Sequence, residues 1–207
     1  LKLALEKKIK RTIFLGTSCI YPKFSKVPIN EESLLTGKLE KTNQCYAIAK
    51  IAGIKLCEAL FEDHNLDIIC LMPTNVYGDK DNFNKINGHV IPAVISKIQE
   101  AKKRNKKFVN LLGTGKPLRE FIHADDLAES IIQCLKINST SLRKKFKKKL
   151  PILNVGTNEE ITIRDLSKMI AKFIKYRGVI KFDKKSPDGT FRKGLNSSKI
   201  RGLGWYP

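Results

Sequence analysis

Short apolar runs closed by glycine or proline alternate along this chain with segments of helical period, and no other feature narrows the fold as much. TIFLG (12–16) reads as a short buried strand ending at Gly16, and DIICLM (67–72) as a buried strand stopped by Pro73. Between them, residues 43–61 place Ile48, Ile51, Ala52, Leu56, Ala59 and Leu60 at helical spacing, with Asn43 as the expected cap. Further on, a helix is expected over 89–103, a strand over 108–112, a GTG turn at 113–115 and a strand over 119–122. A helix over 125–136, capped by Asp125, follows, and then a basic linker at 138–149. The last expected elements are a strand at 152–155, a helix over 162–175 capped by Thr162, a strand at 179–182, a loop at 183–194 and a short helix at 196–202. Such alternation predicts an α/β fold with a mostly parallel sheet.

The 207 residues, 42% of them hydrophobic and 29% charged, suffice for one core or one core with a small lobe, and argue against general disorder. No stretch reaches the roughly 18 apolar residues of a membrane helix, and LKLALEKKIK lacks the apolar centre of a signal peptide. Cys19, Cys45, Cys57, Cys70 and Cys134 are odd in number and form no CxxC pair, so neither a metal site nor a disulfide framework is expected. Reduced thiols in a cytoplasmic protein are the expectation.

A net charge of +20 raises the question of nucleic acid. The lysines are scattered over every segment, however, and the one dense run, 143–149, reads as a solvated loop. Neither a nucleic-acid nor a membrane partner is expected. The chain opens inside a helical segment without a start signal, and its first glycine, Gly16, has no glycine-rich turn around it. It closes at Trp205-Tyr206-Pro207. These features lead us to expect a fragment of a longer protein.

The chemistry centres on Tyr46-Ala-Ile-Ala-Lys50. Residues four apart share one helix face, so the Lys50 ammonium falls near the Tyr46 phenol and favours its ionised form. Such a tyrosine exchanges a proton with a carbonyl or alcohol oxygen. A lone YxxxK more often marks a surface tyrosine and a solvated lysine, so its surroundings decide. Upstream, a strand ends in Gly16-Thr17-Ser18-Cys19-Ile20-Tyr21-Pro22; downstream, another ends in Pro73-Thr74-Asn75-Val76-Tyr77-Gly78. Strand ends of parallel sheets open on the ligand crevice, so hydroxyl, tyrosine–lysine pair and polar turn converge at one edge.

With these residues the chain resembles the extended short-chain dehydrogenases, and among them the GDP-L-fucose synthase family, from about Thr12 to Trp205. LGTSCIYPK, LEKTNQCYAIAKIAGIKLCEA, MPTNVYGDKDNF, HVIPA, GTGKPLREFIHADDLA, NVGT and PDGTFRK carry the resemblance, and the succession from SCIYP to YAIAKIAGIKLCEA and on to DNF and HVIPA sets it apart from ordinary nucleotide-sugar epimerases. The resemblance implies a Rossmann-like doubly wound parallel sheet, incomplete because its N-terminal strands are missing, with a smaller C-terminal α/β substrate lobe. Residues 1–78 would belong to the NADP-binding domain, and 79–207 mainly to the GDP-sugar lobe, with 108–136 and 151–157 partly returning to the first. The missing front would hold roughly 90 residues, at ~30 per strand–helix unit, and the 207 residues alone would be inactive.

The implied substrate is GDP-4-keto-6-deoxy-mannose, epimerised at C3 and C5 and then reduced at C4 with NADP(H) as cofactor. Tyr46 would protonate the C4 oxygen, Lys50 would tune Tyr46 and bind the nicotinamide ribose, and Thr17 would stand for the family's serine. Cys19 and His89 would be the acid–base pair, while His64 and His123 are expected to be structural. Leu15, Gly16, Thr17, Ser18, Lys50, Pro73, Thr74, Asn75, Val76 and His89 correspond to NADP contacts. Lys97, Leu112, Arg119 and Asp188 correspond to substrate contacts, with Asp188 and Arg192 in a loop over the nucleotide. Leu112 replaces a tryptophan, at a cost in packing of ~1 kcal/mol. A homodimer through the Tyr46–Lys50 helix is implied as well. Two other readings stay open: another nucleotide-sugar epimerase or dehydratase of the same family, and a non-catalytic basic protein retaining the fold.

Overall fold

A computed structural model describes residues 1–83, 88–186 and 188–207. In chain order it contains α1 (Lys2–Glu6), β1 (Thr12–Leu15), α2 (Gln44–His64), β2 (Ile68–Pro73), β3 (Asn75–Tyr77), α3 (Val90–Lys103), β4 (Phe108–Leu112) and β5 (Leu118–His123). Then come α4 (Ala124–Lys136), α5 (Ser139–Lys145), β6 (Ile152–Val155), β7 (Glu160–Thr162), α6 (Ile163–Ile174), β8 (Val179–Asp183) and α7 (Ser198–Arg201). One-turn 3₁₀ helices lie at Ser18–Ile20, Glu31–Ser33 and Lys41–Asn43.

β2 is buried along its whole length and divides the core. Successive side chains of a strand point to opposite faces. Ile68, Cys70 and Met72 accordingly meet Ile51, Ile54, Cys57 and Phe61 of α2, while Ile69 and Leu71 meet Cys134, Leu142, Leu153 and Trp205 on the other side. β1, β2 and β6 form one parallel sheet in that order, with Leu15 opposite Leu71 and Pro73 opposite Val155. A second sheet has the order β3-β5-β7, parallel between β3 and β5 and antiparallel between β5 and β7. A parallel pair, β4 and β8, packs with α3 and α6 around Val94, Ile98, Val109, Leu111 and Ala171. The expected α/β architecture with mostly parallel pairing is present. No helix among the described residues is long and apolar enough to cross a membrane.

Several local expectations need correction. β1 is an edge strand and only half-buried, because β2 covers a single side of it. α2 is a helix as expected, but its buried stripe is Ala47, Ile51, Ile54, Cys57 and Phe61. Ile48 and Leu56 are 51% and 50% exposed. Apolar residues occur nearly all round this helix, so period alone does not choose its inner face. Gly53 marks that face, since a Cβ there would meet the Phe14 ring at 2.4 Å. Asn43 precedes α2 without a side-chain capping bond. α4 is capped not by Asp125 but by His123, whose Nδ1 accepts from the Asp125 amide at 3.3 Å.

The 143–149 run, expected as a solvated loop, begins inside a helix, since Arg143, Lys144 and Lys145 form the last turn of α5 within the 138–149 linker. Asn138 caps α5 by accepting from Ser141 N at 3.0 Å, and Leu142 is buried. Arg143 stacks 4.8 Å from the Phe61 ring centroid and donates to the Asn65 carbonyl at 2.8 Å. The lysines between them remain in solvent.

One buried amide ties three distant segments together. Asn154 on β6 is fully buried; its Oδ1 accepts from the Tyr21 hydroxyl at 2.6 Å, and its Nδ2 donates to the carbonyls of Ile29 (2.9 Å) and Asn196 (3.2 Å). Its backbone N–H donates to the buried Glu31 carboxylate at 2.9 Å. Removing the amide would leave several buried polar groups without partners, at about 1–3 kcal/mol each. Asn154→Ala is therefore expected to lower the unfolding free energy by roughly 3 kcal/mol in urea titrations.

Candidate active site

The parallel ends of β1 and β2 open on a cleft of about 520 Å³. β1 reaches it at Leu15 and Gly16. Thr17 then turns the chain: its hydroxyl accepts from the Cys19 amide at 3.3 Å and caps the Ser18–Ile20 turn, which leaves Cys19 on the cleft wall. Tyr46 stands in the first turn of α2, and Lys50 one turn later on the same face. The Lys50 ammonium donates to the Leu15 carbonyl at 2.9 Å and lies 5.9 Å from the Tyr46 ring centroid. A single cation thus joins the end of β1 to the helix that carries the phenol.

The far wall follows β2. Thr74 Oγ1 and Asn75 Nδ2 both donate to the Glu120 carbonyl, at 2.9 and 2.7 Å, which fixes the turn between β2 and β3. The Glu120 side chain is fully buried and accepts from the amides of Asn158 and Leu195, both at 2.8 Å. Burial raises its carboxyl above the usual range, and those two amides act in the opposite direction. His89 is the residue before α3 and reaches the same cleft.

Every residue expected at the reaction or at the cofactor therefore lines this one cleft: Leu15, Gly16, Thr17, Ser18, Cys19, Tyr46, Lys50, Pro73, Thr74, Asn75, Val76 and His89. A second cleft of about 250 Å³ shares Gly88 and Val90 with the first and is lined by Lys97, Leu112, Arg119 and Asp188. Burial pulls the Arg119 guanidinium below its ordinary pKa, against the opposing fields of Asp188, Cys19 and Glu40. It remains a cation at any ordinary pH.

Three features escape local sequence reasoning. Lys193 brings its ammonium to 3.9 Å from Cys19 Sγ, across a separation in sequence that no local pattern records. Arg192 does not reach either cleft; it is paired with Glu160, with both Nε and Nη2 at 2.6 Å from Oε2. Asp188 does not stand free for a ligand. Its two carboxylate oxygens accept from the Thr114 amide at 2.9 Å and the Thr114 hydroxyl at 2.6 Å. Gly113, at φ +78°, makes room for it, since a Cβ there would lie 2.4 Å from Asp188 Oδ1. Pro187 of the PDGTFRK segment lies outside the described residues.

Comparison with known proteins follows this geometry. Residues 1–156 match the NAD dependent epimerase/dehydratase family. The chain belongs to that family. GDP-L-fucose synthase 1 of Arabidopsis thaliana is 46% identical over 204 residues, which is 99% of this chain and 60% of that protein. Among solved structures, a GDP-6-OMe-4-keto-L-xylo-heptose reductase from C. jejuni superposes with a TM-score of 0.89 at 31% identity, over 98% of this chain and 67% of that one. A GDP-L-fucose synthetase from Naegleria fowleri bound to NADP gives 0.82 at 25% identity, over 100% of this chain and 64% of that one. The chain spans 58 to 63% of the length of the first curated relatives it matches. The epimerase/dehydratase family membership and the parallel-sheet α/β fold agree with the resemblance read from the motifs.

Two carboxylates anchor the 188–190 segment beside the second cleft. The Thr114 hydroxyl and then its amide hold Asp188 below the ordinary carboxylate range; Lys23 and, less strongly, Thr190 do the same for Glu40, which accepts from the Thr190 hydroxyl at 3.1 Å. A depressed folded pKa gives stabilisation that is complete above the unfolded value and lost as pH falls through the folded one. The Thr114 amide resonance is thus expected to stay constant from about pH 8 to 5 and to move only below about pH 4. Asp188→Asn is expected to abolish that titration.

Proposed function

We propose that the native protein carrying these residues makes GDP-L-fucose, by epimerising GDP-4-keto-6-deoxy-mannose at C3 and C5 and reducing C4 with NADPH. One observation carries the reading: Cys19 and His89 share the cleft of Tyr46 and Lys50. A plain reductase needs the tyrosine and the lysine. Two further proton carriers in the same space suit a substrate whose carbons beside a ketone lose and regain protons. The curated relatives that bear the GDP-L-fucose synthase name support it.

The residues present fit a nicotinamide cofactor. Gly16 brings bare backbone to the cleft at the end of a parallel strand, and Lys50 sets an ammonium beside it. Leu15 to Ser18, Pro73 to Val76, Lys50 and His89 would hold it, and NADPH bound there supplies the hydride for C4. Tyr46 donates a proton to the C4 oxygen, with the Thr17 hydroxyl hydrogen-bonded to that same oxygen. Cys19 and His89 remove and return protons at C3 and C5 from opposite faces. Lys97 and Arg119 meet the diphosphate. Asp188 acts through Thr114, by holding the GTG turn that forms the wall of this second cleft.

We place residues 1–78 in the cofactor-binding half and most of 79–207 in the sugar-nucleotide half. The exposed Ile48 and Leu56 face of α2 suits a second copy of the chain, and the free thiols suit a reducing cytoplasm.

In assays of the native protein, NADPH oxidation should depend strictly on the 4-keto sugar nucleotide. Tyr46→Phe should slow it at least about 100-fold, and full activity in that variant would refute the assignment. Cys19→Ser should suppress deuterium uptake at C3 and C5 in D₂O while leaving NADPH affinity within about twofold of the native protein. Conversion of the sugar nucleotide without net cofactor oxidation would instead favour an epimerase that retains its nucleotide.

A further inference from the structure

The Asp81-Asn82-Phe83 segment, prominent in the sequence, has no part in the chemistry above. We propose that Asp81 is a positioning residue for His89: its carboxylate holds the imidazole through Nδ1 and leaves Nε2 as the nitrogen presented to the cleft. The kinetic consequence of this inference rests on the function proposed above; the contact itself does not.

Asp81 Oδ1 lies 3.4 Å from His89 Nδ1, with the imidazole 81% exposed and the carboxylate 13% exposed. That spacing is slightly longer than a hydrogen bond, and catalytic contacts in ligand-free sites often tighten when substrate binds. The backbone of Asp81 and its Oδ1 are both held. Asp81 N donates to the Gly78 carbonyl at 3.2 Å, and Asn82 N donates to Asp81 Oδ1 at 2.7 Å. Immediately after it, Ser96 of α3 donates to the Phe83 carbonyl at 2.6 Å. The segment is thereby clamped against the helix that His89 begins.

Two further observations give the contact a purpose. Asp81 Oδ2 is buried and has no partner among the described residues. An unpaired buried carboxylate oxygen is costly, and an acidic side chain retained there calls for a charged or polar neighbour. On the other oxygen, Oδ1, His89 is such a neighbour, and its imidazole is too exposed for packing to fix its rotamer. His89 also stands between two spaces: it lines the cleft of Tyr46 and Cys19, and it lines a hollow of about 540 Å³ together with Asp81. The ring nitrogens lie on different sides of the imidazole, so a ring held through Nδ1 by Asp81 directs Nε2 elsewhere, and the cleft is the other space it borders.

The test combines a spectroscopic and a kinetic measurement on the native protein. His89→Gln identifies the imidazole nitrogen resonances that belong to His89. Neutral His89 is expected to carry its proton on Nδ1, and Asp81→Asn, which keeps an oxygen for the Asn82 amide, is expected to shift the tautomer balance towards Nε2–H. Deuterium uptake at C3 and C5 should fall at least about tenfold in Asp81→Asn, with KM for sugar nucleotide and NADPH within about twofold of native values. In the His89→Gln background the same substitution should cost nothing more, because its effect passes through the imidazole. An unchanged tautomer in Asp81→Asn, or costs that multiply in the double variant, would overturn the proposal. If the native protein fails to turn over the sugar nucleotide, the functional reading falls, and the tautomer measurement alone decides the Asp81 contact.

Discussion

The hydrogen bond from the Lys50 ammonium to the Leu15 carbonyl, 2.9 Å long, fixes the relation on which the site depends. Leu15 is the last residue of β1, and Thr17 and Cys19 follow within one turn. Lys50 lies one turn after Tyr46 on α2. One cation therefore sets the distance between a phenol on a helix and a hydroxyl and thiol on a strand end. The same ammonium lies 5.6 Å from the Phe14 ring centroid, and Gly53 lets the helix approach that ring. Packing and electrostatics agree at this junction, so a change in either would displace the phenol.

Buried polar groups support the opposite wall. Asn154 joins the 21–31 segment to the 194–197 segment, and Glu120 joins the turn after β2 to the loops after β6 and before α7. Such networks are rigid when every member is satisfied and costly when one is lost. They lie behind the cleft and leave its surface to Thr17, Cys19, Tyr46 and His89. Rigid support with exposed reactive groups is what proton transfer at fixed positions requires.

Features written in local pattern were legible in the sequence. Gly16 and Pro73 close strands where expected, and the YxxxK spacing puts Tyr46 and Lys50 on one face. The inner face of α2 was not legible, because Ile48 and Leu56 are as apolar as Ile51 and Ile54 and only the position of β2 separates them. β3 and β7, three residues each, leave too short a trace to be read by period, and their pairing with β5 defines them. Composition misled at 143–149, where the buried Leu142 just before it and the partly buried Phe146 within it anchor a run that its lysines make look solvated. Contacts distant in sequence, such as Lys193 with Cys19 and Arg192 with Glu160, leave no local signal at all.

The central claim is that one carbonyl can be surrounded by these groups at once. A crystal structure of the native protein with its keto sugar nucleotide, or an unreactive analogue, bound in the cleft tests it most directly. The account predicts Tyr46 Oη about 2.6–3.2 Å from the C4 oxygen, with Cys19 Sγ over one face of the sugar ring and His89 Nε2 over the other. A bound sugar that leaves Cys19 and His89 on the same face, or either of them turned away from the ring, would contradict it.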